Sequence, residues 1–272
     1  MKVKFYGTRG SIPVCDPKFQ EFGGNTTCVL IQTKNGFGIL DAGTGIRELG
    51  KDLLDCSMDM CERIYLAFTH FHWDHIQGFP FFLPGYDKRR ELVISAIGEG
   101  RKLSEIKAIL ETQMRQEYFP IPLTEMGAKI QFLRKRDHIL ETEFATVITT
   151  KHTHPGSAYS YRIESDGKIV VFCTDVEHVN GLDKRIVKIA QGADLLIHDS
   201  QYTPEELKTH KGWGHSSWEQ AIHVAEEANV KELILTHHDP DHDDEFLKKM
   251  EKQCKDRFKN CMLARDRMSV EI

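Results

Sequence analysis

Between positions 69 and 75 the chain reads Thr-His-Phe-His-Trp-Asp-His, so His70, His72, Asp74 and His75 place three imidazoles and a carboxylate within six residues. Neutral imidazole and carboxylate suit zinc and other first-row divalent ions. The cluster follows the apolar run Ile64-Tyr65-Leu66-Ala67-Phe68, which reads as a buried strand, so four potential ligands leave one strand end together. A loop there can splay neighbouring side chains toward two centres, which a regular helix face cannot do. The competing reading is a polar loop that is merely His-rich, and ligands elsewhere must decide between them.

Three later apolar runs end in the same way. Residues 145–150 lead into Lys151-His152-Thr153-His154-Pro155-Gly156, residues 169–173 into Thr174-Asp175, and residues 232–235 into Thr236-His237-His238-Asp239. Four predicted strands thus deliver His or Asp at their ends. Two metals about 3.5 to 4 Å apart would lower the pKa of a bridging water and make hydroxide available as a nucleophile.

Elements that position these residues are read from periodicity. Strands are predicted over Lys2–Gly7, Cys28–Gln32, Gly38–Leu40, 64–68, Leu92–Ile97, Ile130–Leu133, 145–150, Ala158–Ile163, 169–173, 194–197 and 232–235, with a last one around Met262–Val270. Asn35-Gly36 marks a hairpin. Helices are predicted through Ile46, Leu49 and Leu53, through Leu103–Met114, through Ile186–Ile189, over about 217–228 and over about 243–258. This order predicts an α/β (α+β) architecture: one domain over 1–272 of two sheets covered by helices in four layers, not a simple doubly wound parallel sheet. Residues 99–128, a helix running into Tyr118-Phe119-Pro120-Ile121-Pro122, read either as an insertion over the rim of the site or as an ordinary outer-layer helix.

The 272 residues allow a sizeable core. Seven cysteines without Cys-x-x-Cys spacing, no signal peptide and no long apolar run predict a reduced, cytoplasmic protein with no membrane partner. A net charge of −5 and a pI near 6.3 supply no global basic field and argue against gripping long nucleic acid.

The pattern His70-x-His72-x-Asp74-His75, followed by a lone His, a lone Asp and a last His at strand ends, resembles the metallo-β-lactamase superfamily of αββα dinuclear metallohydrolases over essentially the whole chain. Gly7-Thr8-Arg9-Gly10-Ser11, Gly23-Gly24-Asn25-Thr26-Thr27, His154-Pro155-Gly156 with Tyr161-Arg162, and His237-His238-Asp239-Pro240 are similar to the phosphodiesterase branch. That branch includes the tRNA 3′-end nuclease RNase Z and cyclic-nucleotide phosphodiesterases. The resemblance implies one metal held by His70, His72 and His154, a second by Asp74, His75 and His237, and Asp175 bridging them. Zinc is the default ion, with manganese and iron fitting the same donors. His152 and His238 are expected to be solvated neighbours. A Cys where this chain has Asp175, or a Glu where it has His72, would have pointed to sister chemistries.

Within the resemblance, Asp74 is expected to orient the hydroxide or take its proton. Lys211-Gly212-Trp213-Gly214-His215-Ser216-Ser217 resembles the His-Ser-Thr loop of the RNase Z group, which makes His215 the expected general acid or phosphate ligand. Asp41 reads as an acceptor for a ligand imidazole or as a helix cap, and Arg9 as a phosphate contact or a structural turn residue. The pair His198-Asp199 reads as support behind the ligands, and Glu177 and His178 either as lining the mouth of the site or as solvated loop, the latter being the expectation. The expected function is a dinuclear-metal-dependent phosphodiesterase acting on a small phosphodiester, in the first instance a cyclic nucleotide. tRNA 3′-end processing is the alternative, weakened by the lack of a basic arm. A catalytically silent metal-binding module is the reading of another class. Relatives are often dimers, so a homodimer is compatible.

Overall fold

The computed structural model describes residues 1–55, 62–97, 102–135 and 138–272. Among them, β1 (Lys2–Gly7), β2 (Cys28–Thr33), β3 (Gly36–Leu40), β4 (Arg63–Ala67), β5 (Glu91–Ile97) and β6 (Lys129–Lys135) form one sheet with β14 (Ser269–Glu271) on its edge, in the order β14-β1-β2-β3-β4-β5-β6. β7 (Ile139–Glu141), β8 (Thr146–His152), β9 (Ala158–Ser165), β10 (Lys168–Cys173), β11 (Leu195–Asp199), β12 (Glu232–Thr236) and β13 (Cys261–Leu263) form the other, in the order β13-β12-β11-β10-β9-β8-β7. Both sheets are mixed. β3 to β6 run parallel, as do β10 to β13, and the remaining neighbours are antiparallel.

Side-chain alternation along each strand sorts the apolar residues into three cores. Val170 and Phe172, Leu195 and Ile197, and Ile234 face inward and meet Val3, Phe5, Val29 and Ala67 of the first sheet. Their neighbours Val171, Cys173, Leu196, Leu233 and Leu235 face outward, against α4 (Lys184–Ala190), α5 (Trp218–Glu227) and α6 (Asp244–Arg257). On the far side Ile39 and Leu66 meet Ile46, Leu49 and Leu53 of α1 (Ile46–Leu54) and Ile106 and Leu110 of α3 (Leu103–Gln113). The layers are therefore helix, sheet, sheet, helix, as the order of elements predicts. Ser217 caps α5 with a reciprocal capping box through Gln220, and Asp183 and Asp243 cap α4 and α6.

Three elements differ from the sequence reading. The strand predicted across Met262–Val270 is two strands, β13 and β14, in different sheets, because the chain turns between them with Arg267 at φ 70°. β7 is three residues long and too short to show an alternation. The ligand stretch predicted as loop throughout ends in a one-turn helix, α2 (Trp73–Ile76), whose N-cap is His72. Of the 99–128 segment, residues 99–101 lie outside the described residues; α3 packs as an outer-layer helix, and Lys102, Glu105, Ile106 and Ile109 also line a cavity of about 320 Å³ with His70 and His72. No helix among the described residues is long and apolar enough to cross a membrane, and Cys15, Cys28, Cys173, Cys254 and Cys261 are free thiols.

Candidate metal centre

The strand ends that carry the histidines and aspartates converge at one edge of the two sheets. Hydrogen bonds across the sheets lock that edge: Tyr161 Oη of β9 donates to the Phe68 carbonyl, Tyr159 N–H to the Thr69 carbonyl, and His238 N–H to the Thr8 carbonyl. Two groups of donors result. His70, His72 and His154 form one, and Asp74, His75, Asp175 and His237 the other. His72 is exposed at the rim, whereas the other six side chains are buried.

The second group has the dimensions of a metal site. His75 Nε2 lies 3.3 Å from Asp74 Oδ2 and 3.1 Å from Asp175 Oδ2; His237 Nε2 lies 3.2 Å and 3.3 Å from the same two oxygens. These four imidazole–carboxylate separations match the edge, about 3.25 Å, of a tetrahedron whose centre-to-corner distance is about 2.0 Å, the bond length zinc makes with imidazole and carboxylate. In the first group His154 Nε2 is 3.0 Å from His72 Nδ1, and Asp175 Oδ1 lies 3.6 Å from His70 Nε2 and 3.8 Å from His154 Nε2. Asp175 thus presents Oδ1 to one group and Oδ2 to the other. His70 Nε2 and His75 Nε2 are buried without a hydrogen-bond partner, a costly state that a cation between the donors would relieve. The residues present fit two divalent ions.

Outer partners fix the imidazoles. His75 Nδ1 donates to Asp41 Oδ2 at 2.8 Å, His154 Nδ1 to the Gly214 carbonyl at 2.9 Å, and His237 Nδ1 to Gln201 Oε1 at 3.1 Å. Asp41 also accepts from Thr69 N–H and Oγ1, so its place is behind His75 and not as a helix cap, which is Gly45. Asp41, Asp175 and His237 adopt φ of 63°, 55° and 63°. Three non-glycine residues in the left-handed region at strand ends mark strain retained where the ligands must be aimed.

Electrostatics follow from the same distances. Burial works against the charge on His237, but Asp175, Asp74 and Asp199 outweigh it and push the imidazole up to about 9. His75 is likewise raised, burial being overcome by Asp175, Asp74 and Asp41, while burial and the neighbouring His75 hold His70 well down. Burial opposes ionisation of Asp74 and Asp175, yet the surrounding histidines hold both carboxyls well below the usual range.

His215 sits beside the first group. Its Nδ1 donates to Asp199 Oδ2 at 2.8 Å and lies 4.0 Å from Asp175 Oδ1, and its ring stacks on His237 at 5.0 Å. Asp199 also accepts from the backbone N–H groups of Asp175, Ser216 and Gln201, so one buried carboxylate orients both His215 and the Asp175 backbone. His215, His154 and Lys211 line a cavity of about 730 Å³.

Several expectations are corrected here. His152 and His238 are buried, not solvated: His152 Nε2 donates to the Asp175 carbonyl and His238 Nε2 to the Ala264 carbonyl, and burial lowers them to about 4 and about 3. Alternation along β8 sends Lys151, not His152, to solvent. Of the two readings of Arg9 the structural one holds: it is fully buried and donates to the carbonyls of Gly23, Asp239 and His242, so it braces the turn. Glu177 is buried and accepts from Gly212 N–H and Gly214 N–H; His178 is buried with Nδ1 accepting from Asp183 N–H. Charged or polar residues in a polar sequence read as solvated loop; only backbone donors from loops distant in sequence bury them. The strand-end pair His198-Asp199 was the signal for the support under His215, and its role required the loop at 212–217 to be brought over it.

The model of the Beta-lactamase superfamily domain matches residues 39–238, a span that contains all seven donors. The ribonuclease Z of Enterococcus faecalis is 24% identical over 322 aligned positions, covering 100% of this chain and 97% of that protein. Two solved structures share the fold: the short form of human tRNase Z, with a TM-score of 0.70 at 20% identity over 100% of this chain and 99% of that one, and a diphosphatase of the PhnP family, with a TM-score of 0.74 at 18% identity over 100% and 97%. At such identities the solved structures speak for the fold alone, and the family match carries the assignment. The chain belongs to the beta-lactamase superfamily and is one of its metal-dependent hydrolases.

Proposed function

We propose that the chain is a dinuclear metal-dependent phosphodiesterase whose first substrate class is RNA processed at a 3′ end. The observation that carries the chemistry is the split of Asp175, with Oδ1 and Oδ2 turned to separate donor groups and the Asp199–His215 pair alongside. His70, His72 and His154 would hold one ion, Asp74, His75 and His237 the other, and Asp175 both. Bound there, two divalent ions acidify a water and neutralise charge on the phosphate oxygens.

The residues supply the remaining steps. Asp74 Oδ2 accepts the Ser11 N–H at 2.8 Å and faces the histidines, which leaves Oδ1 to orient the attacking water and take its proton. His215, with Nδ1 committed to Asp199, keeps Nε2 as the proton donor to the leaving oxygen, and the Asp199 carboxylate fixes the orientation of its ring. The pairing is the acid side of a general acid–base mechanism.

RNA is placed first because the full-length relatives at this similarity are ribonucleases, which reverses the order expected from sequence. A small phosphodiester, including a cyclic nucleotide, is the second reading. It is favoured by length and charge: 322 positions are needed to align these 272 residues, so the relative carries segments absent here, and the net charge is −5. Purified protein supplied with zinc or manganese is assayed against 3′-extended pre-tRNA, cyclic AMP and bis(p-nitrophenyl) phosphate. Cleavage of the pre-tRNA at its 3′ side is the expected result; hydrolysis of only the small diesters would replace RNA by the second reading, and hydrolysis of none would refute the phosphodiesterase.

A further inference from the structure

In the loop that carries His215, Trp213 keeps 61% of its surface in solvent although the backbone on either side of it is firmly held. The Glu177 carboxylate accepts from Gly212 N–H and Gly214 N–H, and the Gly214 carbonyl accepts from His154 Nδ1. Gly214 has φ +91°, and a Cβ there would lie 2.2 Å from His154 Nδ1, so the backbone next to Trp213 is pressed directly on a candidate ligand. The indole is further tied to the His215 ring through a ladder of contacts. Trp213 meets His210 edge-on at 4.8 Å, His210 stacks on Tyr202 at 4.5 Å, and Tyr202 meets His215 edge-on at 5.9 Å.

A single exposed aromatic needs no explanation by itself, but an indole braced by His210 on a loop that also carries His215 offers a flat face on which a planar group can stack. The loop that carries it also carries His215, and Lys211 of the same loop is exposed beside the 730 Å³ cavity that His154 and His215 line. Aromatic face, neighbouring cation and a phosphate-cleaving centre are the parts of a single-strand nucleotide site, in which every base can stack. We infer that Trp213 is the stacking platform for the nucleobase adjoining the scissile phosphate, a specificity-determining contact that rests on the phosphodiesterase reading.

Two chromogenic diesters with the same leaving group isolate this contact: thymidine 5′-(p-nitrophenyl phosphate), which bears a base, and methyl p-nitrophenyl phosphate, which does not. Trp213→Ala should lower kcat/KM for the thymidine ester on the order of 10-fold, chiefly through KM, and leave the methyl ester and the metal content unchanged; Trp213→Phe should restore most of the loss. Equal loss on both esters, or no loss on either, overturns the inference. Should the wild type hydrolyse neither ester, the phosphodiesterase reading is what fails, and calorimetric titration with pentauridylate then decides the platform. About 10-fold weaker binding by Trp213→Ala supports it, and equal binding by both proteins overturns it.

Discussion

Replacing Asp175 by Asn removes the one carboxylate shared by both donor groups while keeping its shape. Asp175 Oδ2 lies 3.3 Å from His237 Nε2. At an effective dielectric near 20, one unit charge at that distance contributes about 5 kcal/mol, or roughly 3.7 pKa units. In the protein without metal, burial lowers His237, and Asp175 is the largest of the influences that nevertheless raise it to about 9. The raised imidazole holds its proton at pH 7.5 and loses it as pH rises through about 9, so metal uptake at pH 7.5 must release protons. In Asp175→Asn the His237 ring, followed by NMR in the metal-free protein, should titrate below about 6.5. A cation loses an attraction at least as large, so metal affinity should fall by about 5,000-fold or more, measured by elemental analysis after competition with a chelator. A variant that keeps two ions at wild-type affinity, with His237 still titrating near 9, would refute Asp175 as the bridge.

Two further outcomes are expected. His215→Ala should retain both ions and lose about 100- to 10,000-fold in turnover, read by metal content and kcat on the best substrate; full activity would remove His215 from the mechanism. Burial holds His178 and His238 at about 3, so each favours the folded state above the unfolded value near 6.5, and that stability is lost as pH falls, by about 1.4 kcal/mol per histidine between pH 7.5 and 5.5. Urea unfolding at the two pH values should show the loss in the wild type and about 1.4 kcal/mol less of it in His178→Gln, and parallel losses in the two proteins would exclude His178 as a source.

Much of the architecture was legible because it is written locally. Continuous apolar runs such as Val170–Cys173 and Leu195–Ile197 mark strands buried on both faces, and helix caps at Ser217 and Asp243 stand at the predicted starts. Short elements escaped: β7 has three residues, and α2 is a single turn inside the ligand cluster. The run Met262–Val270 looks continuous in sequence, yet its two ends pair with different sheets, which no local pattern encodes.

For the centre itself, the sequence by itself determined which donors exist and that they stand at strand ends, because clustered histidines and aspartates after apolar runs have few other uses. Tertiary structure decided everything that depends on distance. It turned Asp175 so that its two oxygens face two groups, buried His152 and His238 against backbone carbonyls, committed Arg9 to three turn carbonyls, and set Asp199 beneath His215. The physical reason is that a side chain's partner, not its type, fixes whether it binds metal, braces a turn or meets solvent. Those partners lie up to 233 residues away in sequence, brought together only when the two sheets close on each other.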